Sequence, residues 1–141
     1  MTRLTRADEA TRALDVLDAV LADACDSAAH AAADRARVAT ALEWLDGAVV
    51  SHAWSSETAG GLLDDVRRDQ PRLEHAVARL EHEHRELVER VEALRDLLRA
   101  GASIEIVARQ AQATRSAIER HGQHGARLTL DAWNRDLGGD D

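Results

Sequence analysis

The stretch PRLEHAVARLEHEHRELVERVEALRDLLRA, residues 71–100, decides the fold. Its apolar positions Leu73, Val77, Leu80, Leu87, Val91, Leu94 and Leu98 follow a spacing of three and four, interrupted only where His84 takes the seam. At about 3.6 residues per turn this pattern lays one stripe along one side of a helix. Pro71 fits the first turn, where its missing N–H goes unused. Gly101 fits the position just past the end.

Three further stretches carry the same pattern. After the third, residues 103–134 have the seam Ile104, Val107, Ala111, Thr114, Ile118, His121, Gly125, Leu128, with Ser103 as N-cap. Before it, residues 31–57 have Val38, Leu42, Leu45, Val49, His52, Ser56, and the Gly60-Gly61 pair ends that helix. Residues 3–26 have Ala7, Ala10, Leu14, Leu17, Leu21, Ala24. Leu62 to Asp69 reads as a short extra turn, and Gly138 to Asp141 as a frayed tail. On the outer faces, Glu81 is spaced to pair with Arg85, and Glu86 with Arg90.

Short connections between the first and second stretches, and between the third and fourth, favour antiparallel neighbours. The expected fold is all-α, an antiparallel up-down-up-down four-helix bundle, with residues 1–141 as one domain. A two-helix hairpin that dimerises shows the same periodicity, so monomer and homodimer both stand. Four stretches of this length favour the monomeric bundle.

Composition agrees. Phe and Tyr are absent and the aromatics are Trp44, Trp54 and Trp133. β-Sandwiches draw on aromatic and β-branched residues, whereas this chain is rich in Ala, Leu, Arg and Glu, which favour helix. A net charge of −8 argues against nucleic acid and anionic membrane as partners. No run approaches the roughly 18 apolar residues of a membrane span, and Met1 to Ala10 lacks a signal-peptide core. Cys25 is the only cysteine, which rules out an internal disulfide; near the end of the first helix it reads as a packing residue. These features point to the cytoplasm. There is no glycine-rich phosphate loop, and Ser51-His52 and Ser55-Ser56 lack the strained turn and oxyanion hole of a serine hydrolase.

Seven histidines are present. His75 and His82 fall nearly opposite the third stripe, and His30 near the first connection. His124 lies about 100° off its stripe. The remaining three, His52, His84 and His121, each replace an apolar residue on a seam, and a buried imidazole needs a partner. With a rise of about 1.5 Å per residue, they stand roughly 12, 20 and 16 Å from the end where the second stretch meets the third. Within the error of helix ends, that is one level. Converging side chains inside a bundle are how such folds build metal sites. Neutral imidazole suits iron, zinc, copper or nickel, and three protein ligands leave a position open. The alternative is a polar core cluster bonded within itself or to buried water.

Three segments resemble the hemerythrin-like (HHE cation-binding) family. They are Leu45 to His52, then Pro71-Arg72-Leu73 with Leu80 to Leu87 around EHREL, then Arg120 to Ala126 with Asp131 to Asp140, the last similar to a bacterial subgroup. The resemblance implies a four-helix bundle holding a non-heme di-iron centre that binds oxygen or related small molecules, or senses iron or redox state. It implies His52, His84 and His121 as ligands and iron as the transition metal. The family adds a first-helix histidine, expected by level at positions 7–12, where the chain has Glu9 and Asp8 but no histidine. It also adds carboxylates about four residues after the second- and fourth-helix histidines, where this chain has Ser56 and Gly125. Glu57 is one residue late, and Glu81 lies about 70° off the third stripe, as a surface acid or a partner of His84. Without seam carboxylates one ion is expected rather than two. Glu57, Glu81, His124 and Glu9 are the lesser candidates. The expected role is binding, storage or sensing of a metal or small molecule; the alternative is a metal-free bundle acting as an interaction or regulatory module.

Overall fold

The computed structural model describes residues 6–26 and 31–134. These residues are largely helical, with no strand among them. The long helices are α1 (Arg6–Asp26), α2 (Ala31–Glu57), α4 (Glu74–Arg99) and α5 (Ile104–Trp133). The short helix α3 (Leu62–Asp69) occupies the segment read as an extra turn. Contacts run in a ring: α1 against α2, α2 against α4, α4 against α5, and α5 back against α1.

From Ala10 onward the seam residues are buried or partly buried. Leu14, Leu17, Leu42, Leu45, Leu94, Val38, Val91 and Val107 are fully buried, and each such side chain contributes roughly 1.5–3 kcal/mol through loss of apolar surface to water. The core is in two parts. The larger joins α1, α2, α4 and α5. The smaller contains Leu63, Val66, Val77, Leu80, Leu128 and Ala132. On α4, Leu80 belongs to the smaller part and Leu87 to the larger, and His84 stands between them. On α5, His121 likewise separates Ala117 from Leu128.

Helix ends follow the local chemistry. Ser103 Oγ accepts from the Ile106 N–H, closing the start of α5. Gly60 and Gly101 adopt φ of 80° and 82°, a left-handed conformation that favours glycine at a helix end. The Arg35 guanidinium donates to the Leu98 and Ala102 carbonyls at 2.6 and 2.7 Å, placing positive charge at the C-terminal end of α4. Arg115 of α5 pairs with Asp15 and Asp18 of α1. Arg67 of α3 donates to both Glu74 and Glu81 of α4, tying the short helix across the end of the ring.

Four details differ from what the sequence leads one to expect. Residues 71–73 form a 3₁₀ turn, so the regular helix starts at Glu74. A tighter turn suits Pro71, whose ring fixes φ and removes a donor. Glu81 turns to Arg67 rather than Arg85, because α3 brings a guanidinium within 2.8 Å. Cys25 is exposed, since Ala24 takes the last inward position of α1. Trp133 rather than residue 134 ends α5. The first three residues of the expected first helix, His30, and the tail from residue 135 lie outside the described residues. Among the described residues no helix is long and apolar enough to cross a membrane.

Candidate metal centre

His52 of α2, His84 of α4 and His121 of α5 meet in the interior. Their ring centroids are 5.1 Å apart for His52–His84, 5.4 Å for His52–His121 and 4.6 Å for His84–His121. One ring nitrogen from each lies within 4.8 Å of the others. His84 and His121 are buried and His52 is partly buried. The single level estimated from helix rise is therefore the level at which the rings touch.

The closest nitrogens are Nε2 of His52 and Nε2 of His121, 3.2 Å apart. Two ligands bound about 2.0–2.1 Å from one tetrahedral ion stand about 3.3–3.4 Å apart. The pair thus already has ligand spacing. The hydroxyls of Ser55 and Ser56 donate to the His52 carbonyl at 3.1 and 2.8 Å, tightening the last turn of α2 behind the ring.

Two carboxylates settle which nitrogens face the centre. Glu57 Oε1 lies 3.0 Å from His84 Nδ1. Glu83 Oε2 lies 2.8 Å from His121 Nδ1, and its other oxygen lies 2.5 Å from Nδ1 of His124. An ionised carboxylate only accepts, so Nδ1 carries a proton in His84 and His121, and in the neutral form of either ring Nε2 is the nitrogen with the lone pair. Carboxylate-oriented imidazole is the usual support of a metal-binding histidine. Burial pushes the Glu83 carboxyl up, but the hydrogen bonds from His121 and His124 outweigh it and hold its pKa below the ordinary value. Burial, aided by the neighbouring His84 and His121, lowers the His52 pKa to about 4. Burial also lowers His121, against the opposing pull of Glu83. Both imidazoles are therefore neutral at neutral pH, the form that donates a lone pair to a metal.

The candidate residues named from the sequence separate cleanly in space. His52, His84 and His121 come together. Glu57 reaches inward to His84, which α2 allows because it ends at this residue. His124 is one turn from His121 and shares Glu83 with it. Glu81 is occupied by Arg67, and Glu9 is exposed on α1. Glu83 is the residue that the pattern of seams does not reveal. It precedes His84 and so lies about 100° around α4, off the seam but toward α5. Only the identity of the neighbouring helix on that side singles it out.

The donor set fits one ion and does not fit a di-iron centre. Among the described residues the converging ligand atoms are all imidazole nitrogens. Two cations need bridging carboxylates. Ser56 and Gly125 supply none, and Glu57 and Glu83 are engaged on the far side of the rings. At the level of the expected first-helix ligand, Ala10 and Thr11 of α1 border a cavity beside the cluster. Comparison with family models, curated proteins and solved structures gives no match for this chain.

Proposed function

We propose that this chain is a hemerythrin-like bundle, up-down-up-down in topology, that binds one transition-metal ion through Nε2 of His52, His84 and His121. The observation that carries the reading is the pair of carboxylates, Glu57 and Glu83, each hydrogen-bonded to the outer nitrogen of a clustered histidine. Such carboxylates present Nε2 of the supported ring to the centre, the arrangement usual behind a metal-binding histidine. Iron is the metal that the family resemblance suggests, and the open position of a three-histidine site would take a small molecule such as oxygen. Binding, storage or sensing in the cytoplasm is the proposed role.

One observation favours the metal-free alternative. With His121 Nε2 unprotonated, the Nε2–H of His52 donates to it across 3.2 Å, so these two rings satisfy each other without an ion. In that reading the bundle is an interaction or regulatory module. Metal binding would require His52 to move its proton to Nδ1, a change of tautomer without loss of charge.

Titration of chelator-treated protein with Co²⁺ distinguishes the two. The metal reading expects visible d–d bands that saturate at one equivalent and are lost in His84→Leu. Absence of bands, with His84→Leu simply more stable than the parent, supports the metal-free cluster.

A further inference from the structure

The histidine cluster forms one wall of a cavity of about 230 Å³. The rest of the wall is mainly apolar, including Val49, Leu63, Leu80, Leu87 and Ile118. Among the described residues no Lys or Arg borders it. A cavity of about 150 Å³ is enough for benzene, and a water occupies about 30 Å³ of liquid, so this space exceeds what a diatomic gas or a single water fills.

Gly122 and Gly125 on α5 both border this space. A Cβ at either position would meet nothing within 4 Å, so neither glycine is required by a close contact. Neither has a positive φ. Glycine inside a helix costs about 1 kcal/mol relative to alanine. Gly125 is partly buried and lines the cavity, so the room its missing side chain leaves adds to that space. The cavity reaches solvent beside Thr11 of α1 and Gly122 and Ala126 of α5, all exposed.

We propose that this cavity binds an uncharged organic molecule of about six to nine heavy atoms, with an apolar body and one lone-pair donor that completes the coordination of the metal. The inference rests on the single-ion reading above. Charge decides against an anion. A divalent ion on three neutral imidazoles carries two positive charges, and the Glu57 and Glu83 carboxylates behind the rings offset both. An anionic ligand would then leave the site, counted with these two carboxylates, with one excess negative charge beside apolar walls, which is unfavourable. The apolar walls favour each added methylene of the ligand body by about three- to fourfold in affinity until the space is filled.

The test uses Co²⁺-loaded protein, with cobalt content measured on the same sample, and follows shifts of the d–d bands. The probes are pyridine, 4-methylpyridine, 4-ethylpyridine and 4-propylpyridine at pH 8, with hexanoate as the charged counterpart. The expected result is affinity rising about three- to fourfold per carbon, with hexanoate at least about tenfold weaker than 4-propylpyridine. Gly125→Leu should fold, keep one cobalt and abolish the gradient, because its side chain fills the space. A flat series, tighter hexanoate, or an unchanged gradient in Gly125→Leu would overturn the cavity proposal while leaving the metal site standing. No cobalt uptake would overturn the metal site and this proposal with it.

Discussion

Glu83 receives the Nδ1–H of His121 at 2.8 Å and so determines which nitrogen of His121 faces His52 and His84. The carboxylate does no coordinating itself. It fixes a tautomer, orients a ring and raises the basicity of the opposite nitrogen. In Glu83→Gln the amide keeps the shape and loses the charge. Metal affinity should fall about 10–100-fold, read by competition against a chromophoric chelator, with the helical content unchanged.

Glu57 and Glu81 provide a paired contrast. Glu57 holds His84, whereas Glu81 holds Arg67. Glu57→Gln should weaken metal binding by about 10-fold or more. Glu81→Gln should leave it unchanged and lower stability by less than about 1 kcal/mol, since the Arg67 pair is partly exposed. Equal effects from the two variants in the same competition assay would show that proximity to the cluster, rather than its tautomers, controls affinity.

The apo protein should lose stability in acid. His52 has a folded pKa of about 4 against an ordinary 6.5, so below 6.5 the unfolded chain takes a proton that the folded chain refuses. Stability is complete above pH 6.5 and declines as pH falls toward 4, by up to about 3 kcal/mol from this residue. His121, also lowered, acts in the same direction. Glu83 adds a loss at still lower pH, when its depressed carboxyl is protonated. Urea unfolding of EDTA-treated protein between about pH 8 and 4.5 should show this slope, and His52→Leu should flatten it.

Gly61 tests how the end of α2 is held. A Cβ there would collide with the backbone carbonyl oxygens of Ser55 and Ser56, which cannot swing aside. Gly61→Ala should destabilise by about 1–3 kcal/mol in thermal melts. The same change should also weaken metal binding, because the displaced turn carries Glu57. Unchanged melting would show that the turn has room to relax.

Much of this is legible in the sequence, for a physical reason. Periodicity reports which side of a helix avoids water, and it places α2, α4 and α5 and the three seam histidines. A constant rise per residue then puts those histidines on one level. What periodicity lacks is the angular order of the helices. Glu83 and His124 are off their seams and matter only because α4 and α5 are neighbours. Glu57 depends on where α2 stops, and helix ends are set by a turn of two or three residues rather than by the stripe. Glu81 is drawn away by Arg67 of α3, whose charged face no periodicity aims.

Whether the cluster holds one ion is answered by the metal content of freshly purified protein beside the His52→Leu, His84→Leu, His121→Leu triple variant. A single-ion centre gives close to one transition-metal ion per chain, regained after chelation on anaerobic loading with Fe²⁺, and none in the variant. No metal even after loading, or two ions per chain, would contradict it.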